Sequence, residues 1–231
     1  SLEQQWSAEQ TQREQIAALA HDLKTPLTVI QGNADLMRET DLDGEQRLYM
    51  EYINSSSEQM QLYIKTLIDI SRAATGYQLH MEIINLADYV EYLRGQVSAL
   101  CQTKKNNLQV EIKNLPITLS ADRLLLERAI MNVVNNALDF SPLNGSVYLS
   151  ITGDNNNLRI TITDTGNGFS REDLLHAQEQ FYMADHSRSS NLHFGMGLFI
   201  TKSIVQQHGG QLILGNSDKT GGAQVTIKIP Y

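Results

Sequence analysis

The chain has 231 residues, 41% of them hydrophobic, which is enough to bury a core in one or two domains. A formal net charge of -8 argues against the concentrated basic face that a reader of phosphate backbones needs, so no nucleic acid is expected as a partner. The one cysteine, Cys101, cannot form an internal disulfide and falls in an apolar helical pattern, where it reads as a small buried hydrophobe. The longest apolar runs, such as 27–30, fall far short of the roughly 20 residues of a bilayer span, and no signal peptide opens the chain. A soluble cytoplasmic fragment without membrane contact is expected. Ser1, in place of Met, opens a segment that already reads as helix, as in a piece cut from a longer protein.

The first apolar stripe comprises Ile16, Leu19, Leu23, Leu27, Ile30, Ala34 and Met37, in steps of three and four that describe one face of a long helix. A polar break at 40–45 follows, and then Tyr49, Ile53, Met60, Ile64, Leu67 and Ile70 form a second stripe. Two such helices make a hairpin that cannot cover its own seams, whereas two hairpins close a four-helix bundle, so a homodimer is implied. This first domain is placed at 1–74, with a polar linker at 75–80 and a second domain at 81–231. In the second domain, helix-like segments at 86–102 and 122–139 alternate with strand-like runs at 109–113, 146–152, 158–164, 211–215 and 223–229. Turn residues at 154–157 and 220–222 predict hairpins, and the sum is a mostly antiparallel sheet covered by helices, an α+β chain overall. The stretch from Phe169 to Phe194, with Phe181 and Tyr182, reads as a mostly irregular, lid-like loop before a helix at 198–207.

Four constellations carry chemistry. His21 lies two residues from both Leu19 and Leu23, about 200° around a helix from the apolar seam, and therefore points outward. Thr25 shares its face one turn on, Asp22 is its neighbour in sequence, and Pro26 removes the amide that would bond to the Asp22 carbonyl, which predicts a bend. A neutral imidazole is a good nucleophile at physiological pH, and a carboxylate on its other nitrogen fixes the tautomer, so these parts suit phosphoryl capture. Asn132, Asn135 and Asn136 are poor helix formers in an otherwise good helix; Asn132 and Asn136 share a face, where two amide oxygens could meet a hard cation and its phosphates. Asp164 ends a strand-like run and opens Asp-Thr-Gly-Asn-Gly, a carboxylate acceptor beside backbone that a ligand can approach closely. Gly195-Met196-Gly197 opens a helix whose free amides suit phosphate.

Taken in order, HDLKTPLT from His21, NVVNNALDFSP from Asn132, DTGNG from Asp164, FYMADHSR from Phe181 and GMGL from Gly195 resemble the H, N, G1, F and G2 boxes of bacterial sensor histidine kinases. The resemblance covers almost the whole chain. It implies a two-helix hairpin forming a dimeric four-helix bundle, followed by an α/β sandwich ATP-binding domain of the GHKL type with the Bergerat fold. It further implies that His21 is autophosphorylated from ATP, that Asp22 assists as general base, and that Thr25 orients water when a response regulator is dephosphorylated. Asn136 would ligate Mg²⁺ with support from Asn132. Phe140 would line the base, Asp164 would accept from the adenine amine, and Gly166, Gly168, Gly195 and Gly197 would shape the pocket. Arg188 would reach the phosphates. The implied partners are a second copy and the receiver domain of a response regulator, and full-length relatives are commonly membrane-anchored.

Two departures stand out. Asp139 occupies a position where many relatives place Lys or Arg near the phosphates, and Asn191-Leu192-His193-Phe194 replaces a glycine-richer segment. They keep open a catalytically degenerate, nucleotide-gated signalling module. A GHKL ATPase of the chaperone or topoisomerase kind is disfavoured by the histidine-bearing hairpin.

Overall fold

The computed structural model describes residues 20, 22–75, 77–154, 156–179 and 196–231, which divide into two compact units, one up to Thr75 and one from Tyr77 on. Among the described residues no helix is long and apolar enough to cross a membrane.

The first unit is a helical hairpin. Helix α1, residues 22–38, runs through Pro26 without interruption, and after a turn at 39–43 helix α2 occupies Gly44–Thr75. The break falls where a reciprocal cap forms: Asp43 Oδ1 accepts from Gln46 N–H at 2.8 Å, and Gln46 Oε1 accepts from Asp43 N–H at 3.1 Å. Ala20, Leu27 and Ile64 are buried together, with Ile68 against them. Ala34, Met50, Asn54 and Ser57 are also buried, and Gln61 donates to Gln31. Leu23, Ile30, Met37, Tyr49, Ile53 and Met60 remain exposed. The two apolar stripes are thus only partly the inward seam. Leu27, Ala34 and Ile64 turn inside, and the rest of the described stripe faces out from the single hairpin. Ile16 and Leu19, and the side chains of Leu67 and Ile70, lie outside the described residues.

The second unit is a two-layer sandwich. Its five-stranded sheet has the order β2 (Asn107–Lys113), β4 (Ser146–Asp154), β5 (Asn157–Thr163), β7 (Ala223–Pro230) and β6 (Gln211–Asn216). The β2–β4 pair is parallel and the others are antiparallel. Alternation puts Leu149, Ile151, Ile160, Ile162, Val225 and Ile227 on a buried face, while Ser150, Thr161, Arg159 and Lys228 take the other. Helices α3 (Leu86–Lys104), α4 (Arg123–Phe140) and α6 (Gly197–Gln207) cover the apolar face. The expected strands and helices are present within a few residues, and both expected hairpins join consecutive strands, β4 to β5 and β6 to β7. Cys101 is buried in α3, and burial raises its thiol pKa, as befits an inert core residue.

Three elements were not anticipated. Strands β1 (Glu82–Asn85) and β3 (Thr118–Ala121) form a small antiparallel ribbon, and a short helix α5 (Arg171–His176) begins within the stretch read as irregular, started by a Ser170–Asp173 capping box. At the far end of α4, Asp122 Oδ1 caps Leu125 N–H at 3.0 Å, and its Oδ2 accepts from His80 N–H at 2.9 Å. Buried His208 donates from Nδ1 to the Ile204 carbonyl at 2.8 Å, which leaves Nε2 to accept from Asp122 N–H at 3.0 Å. The ends of α4 and α6 are thereby joined, so the two helices hold a common frame.

Ile160 pairs with Ile151 and Ile227 at the sheet centre and is fully buried. Ile160→Ala is expected to cost about 2–5 kcal/mol, read as a lower urea midpoint with an unchanged slope. A loss well under 1 kcal/mol would show that this sheet is not the core of the unit.

Candidate active site

Helix α4 presents its asparagines beside its buried face. Val133, Val134 and Ala137 are buried, Asn132 and Asn136 are half-buried, and Asn135 is exposed. Asn132 Nδ2 donates to the Gly197 carbonyl at 3.4 Å, and that carbonyl also accepts from Thr201 Oγ1 at 2.8 Å. A methyl group on Gly197 would lie 3.7 Å from Asn136 Nδ2 and 3.9 Å from Asn132 Cβ, so the start of α6 rests directly on both amides. Met196 supplies no side-chain cap to α6, so the first-turn amides keep capacity for an anion. Asn136 makes no side-chain hydrogen bond to any described residue, and its amide oxygen is a hard donor suited to Mg²⁺, which takes few protein ligands and keeps water and phosphate oxygens for the rest.

Asp164 follows β5 and is only 3% exposed. Its Oδ1 accepts from Gly166 N–H at 2.8 Å and from Ala223 N–H at 3.0 Å, while Oδ2 makes no hydrogen bond to a described residue. Burial raises its pKa, and the two amides work in the opposite direction. Gly166 packs on the end of α4: a Cβ there would meet the Phe140 carbonyl at 2.4 Å. Gly168 needs its positive φ of 72°, and Phe140 is half exposed at the rim. One unit therefore brings together Asn132, Asn136, Phe140, Asp164, Gly166 and Gly197, with Gly168 on the same loop as Asp164. A rigid carboxylate, two amides and a helix start in one place can hold a base at one end and phosphates at the other.

Asp22 and Thr25 are exposed on α1 of the first unit. His21, Arg188 and Gly195, together with Phe181, Tyr182 and the segment 191–194, lie outside the described residues. Several contacts at the site escaped the sequence reading. Asp139 is paired with Lys104 of α3 at 2.9 Å, so its charge is compensated from another helix. Gly222, taken as a turn residue, abuts Asp164 so closely that a Cβ would lie 2.1 Å from the Asp164 carbonyl. Asn216 and Thr220 also bond to the Asp164 loop. The double glycine at 221–222 was the one available signal, since a tight turn and a close approach demand the same residue.

Residues 11–76 match the family model of the His Kinase A (phospho-acceptor) domain, and residues 121–231 match that of the histidine kinase-, DNA gyrase B- and HSP90-like ATPase. Sensor histidine kinase SpaK of Bacillus subtilis is 40% identical over 230 residues, covering 100% of this chain and 50% of that protein. The crystal structure of full-length ShkA in complex with AMPPNP has a TM-score of 0.80 at 24% identity, over 94% of this chain and 45% of that one, a likeness of fold. That of histidine kinase ThkA in complex with response regulator protein TrrA has a TM-score of 0.65 at 19% identity, over 94% and 61%. The chain spans about half the length of the relatives it matches in sequence.

Asp164→Asn keeps the oxygen that accepts from Gly166 and Ala223 but removes a buried charge. Because burial raises the folded pKa above the unfolded one, protonation stabilises the fold fully below the unfolded pKa, and this is lost as pH rises through the folded pKa. At neutral pH the buried charge is a cost. The Asn variant is expected to melt at the parent temperature or above at pH 7, and to vary less between about pH 4 and 7. Thermal denaturation across that range checks it, and a variant clearly less stable than the parent at pH 7 would contradict the dominance of burial.

Proposed function

The chain belongs to the sensor histidine kinases of two-component systems, and on that premise we propose that it transfers the γ-phosphoryl group of ATP to His21 and on to an aspartate of a response regulator. The convergence of Asn132, Asn136, Phe140, Asp164 and Gly197 in one unit is the observation that carries this reading. Asp164 Oδ2 accepts from the adenine amine, Phe140 lies along the base, and the start of α6 faces the phosphates; Arg188 and Gly195, outside the described residues, keep the roles toward the nucleotide that the resemblance implies. Asn136 would hold Mg²⁺, supported by Asn132. When bound, that ion disperses the charge on the triphosphate. A ring nitrogen of His21 attacks the γ-phosphorus; the nitrogen–phosphorus bond forms, the bond to the bridging oxygen breaks, and ADP leaves. Asp22 takes the proton from the other ring nitrogen. Thr25, one turn from His21, orients the water that dephosphorylates the regulator.

The regulator as partner is supported by ThkA, which is solved with a response regulator, and by the exposed helical hairpin that carries Asp22 and Thr25. A homodimer is supported by the exposed apolar residues of both helices, which a second hairpin would cover. The alternative, a degenerate module that signals by conformation, rested on the reversed charge of Asp139 and on the segment 191–194, which lies outside the described residues. Pairing with Lys104 weakens it, because the carboxylate is offset within its own unit.

Incubation with labelled ATP should give acid-labile phosphate on the parent, none on His21→Gln and less than about 1% on Asn136→Ala, the loss of a transition-state contact together with the metal. Persistent absence of label from a folded, ATP-binding parent would leave only the degenerate module, and full labelling of Asn136→Ala would remove that residue from the magnesium site. Thr25→Ala is expected to label like the parent but to lose the ability to dephosphorylate a phosphorylated regulator. Regulator phosphate lost at the parental rate would release Thr25 from that role.

A further inference from the structure

The connection between β6 and β7 grips the Asp164 loop at both of its ends. Thr220 Oγ1 donates to the Asp164 carbonyl at 2.8 Å and accepts from Gly222 N–H at 3.2 Å, so the hydroxyl is used in both directions. At the other end, Asn216 closes a two-bond clamp on Phe169: its Oδ1 accepts from the Phe169 N–H at 2.7 Å, and its Nδ2 donates to the Phe169 carbonyl at 2.8 Å. One side-chain amide thereby offers a backbone the donor and acceptor that a neighbouring strand would. Between these holds, a Cβ on Gly168 would lie 2.8 Å from both Asn216 Oδ1 and the Gly221 carbonyl, so loop and connection are in contact along their length. The connection is itself braced. Ser217 Oγ accepts from Lys219 N–H and Thr220 N–H, each at 3.3 Å, and Gly221 N–H reaches the Ser217 carbonyl at 2.8 Å.

We propose that Asn216 and Thr220 are positioning residues of the nucleotide site, which act through the Asp164 loop to set where the base acceptor stands and so how strongly adenine is preferred to guanine. The proposal rests on the reading of Asp164 as the acceptor for the base. The discrimination follows from the chemistry of that carboxylate. Adenine offers an amine where guanine has a carbonyl, so a fixed carboxylate attracts the first and repels the second. A carboxylate free to shift by an ångström loses most of that contrast, because hydrogen bonds weaken steeply with distance and angle.

The test is the equilibrium affinity of the whole chain for ATP and for GTP, each in competition with a fluorescent adenine nucleotide. Thr220→Val keeps the shape and loses the hydroxyl, and it is expected to weaken ATP binding about three- to tenfold and to lower the GTP-to-ATP ratio of dissociation constants by a similar factor. Thr220→Ser should restore both. Asn216→Asp keeps the acceptor for Phe169 N–H but sets a carboxylate against the Phe169 carbonyl, and should lower the same ratio. A lower melting temperature with an unmoved ratio is what a purely structural role predicts, and in either variant it overturns the proposal. Should Thr220→Val fail to fold, the Asn216→Asp ratio decides alone. Asp164→Asn separates the two levels of the argument. If it leaves ATP preference intact, the base-acceptor reading falls and this proposal with it. If it abolishes preference while Thr220→Val and Asn216→Asp do not lower it, only the positioning role is lost.

Discussion

The second unit is organised around one buried carboxylate. Asp164 is drawn out of water at the end of β5, and a carboxylate so placed is tolerated only if hydrogen bonds replace the lost solvation. Gly166 N–H and Ala223 N–H supply two of them to a single oxygen, one from the following turn and one from the start of β7. This requires β7 to lie beside β5 with Thr163 opposite Gln224, and it requires glycine at 222, where any side chain would strike the Asp164 backbone. Strand pairing, turn composition and the orientation of the remaining oxygen are consequences of the same constraint. That oxygen is left pointing at no described partner, which is the condition for reading a ligand amine rather than satisfying the fold.

The hairpin obeys a different balance. Its inward seam is small or polar over much of its length: Ala20, Ala34, Asn54 and Ser57 are buried, and Gln31 meets Gln61. Both amide atoms of Asn54 are buried and make no hydrogen bond, a cost that an isolated hairpin with so thin a core can ill support. Meanwhile Leu23, Ile30 and Met37 recur every seven residues on the outside of α1, with Tyr49, Ile53 and Met60 on α2. Seven-residue spacing is the geometry of helices that wrap one another with a left-handed twist. Much of the apolar surface of each helix is thus directed away from its own partner, where the proposed second hairpin would supply the burial that one chain lacks. Small inward residues let the two helices approach closely, and the outward faces stay available to the proposed bundle.

How much of this was legible in the sequence depended on the range of each interaction. The break between α1 and α2, the long helix carrying Asn132 and Asn136, and the strands of the sheet show in local periodicity. The direction of β2 against β4 does not, because alternation is the same for parallel and antiparallel neighbours. Strands β1 and β3 have four residues each and bury one and two of them, too little for any pattern. Nor can periodicity tell an intrachain seam from an interchain one, which is why Leu23 and Leu27 looked equivalent and are not. At the candidate site, residue types with a chemical signature, such as Asn136 and Asp164, could be singled out from the sequence directly. Asn216 and Thr220 were missed because they act by hydrogen bonds to residues 47 and 56 positions away, and a polar residue near a turn looks the same whether or not it has such a partner.

Asp139 shows why a departure from a family pattern has to be weighed with its neighbours in space. Read along the chain, a carboxylate in place of a cation beside phosphates is a reversal of two charges, which at close range in a partly shielded site amounts to several kcal/mol. In the folded unit Lys104, from the last turn of α3, stands 2.9 Å from it. The ammonium is half exposed, so the pair adds little to stability. Its electrostatic effect is still large, because it brings the local charge from minus one up to about zero, and a neutral pair repels a triphosphate far less than a bare carboxylate. The position therefore forfeits an attraction without adding a comparable repulsion. In the proposed site, binding of the phosphates would then depend more heavily on the start of α6, which Met196 leaves without a side-chain cap, and on the amides of Asn132 and Asn136, groups set by backbone and packing and not by net charge.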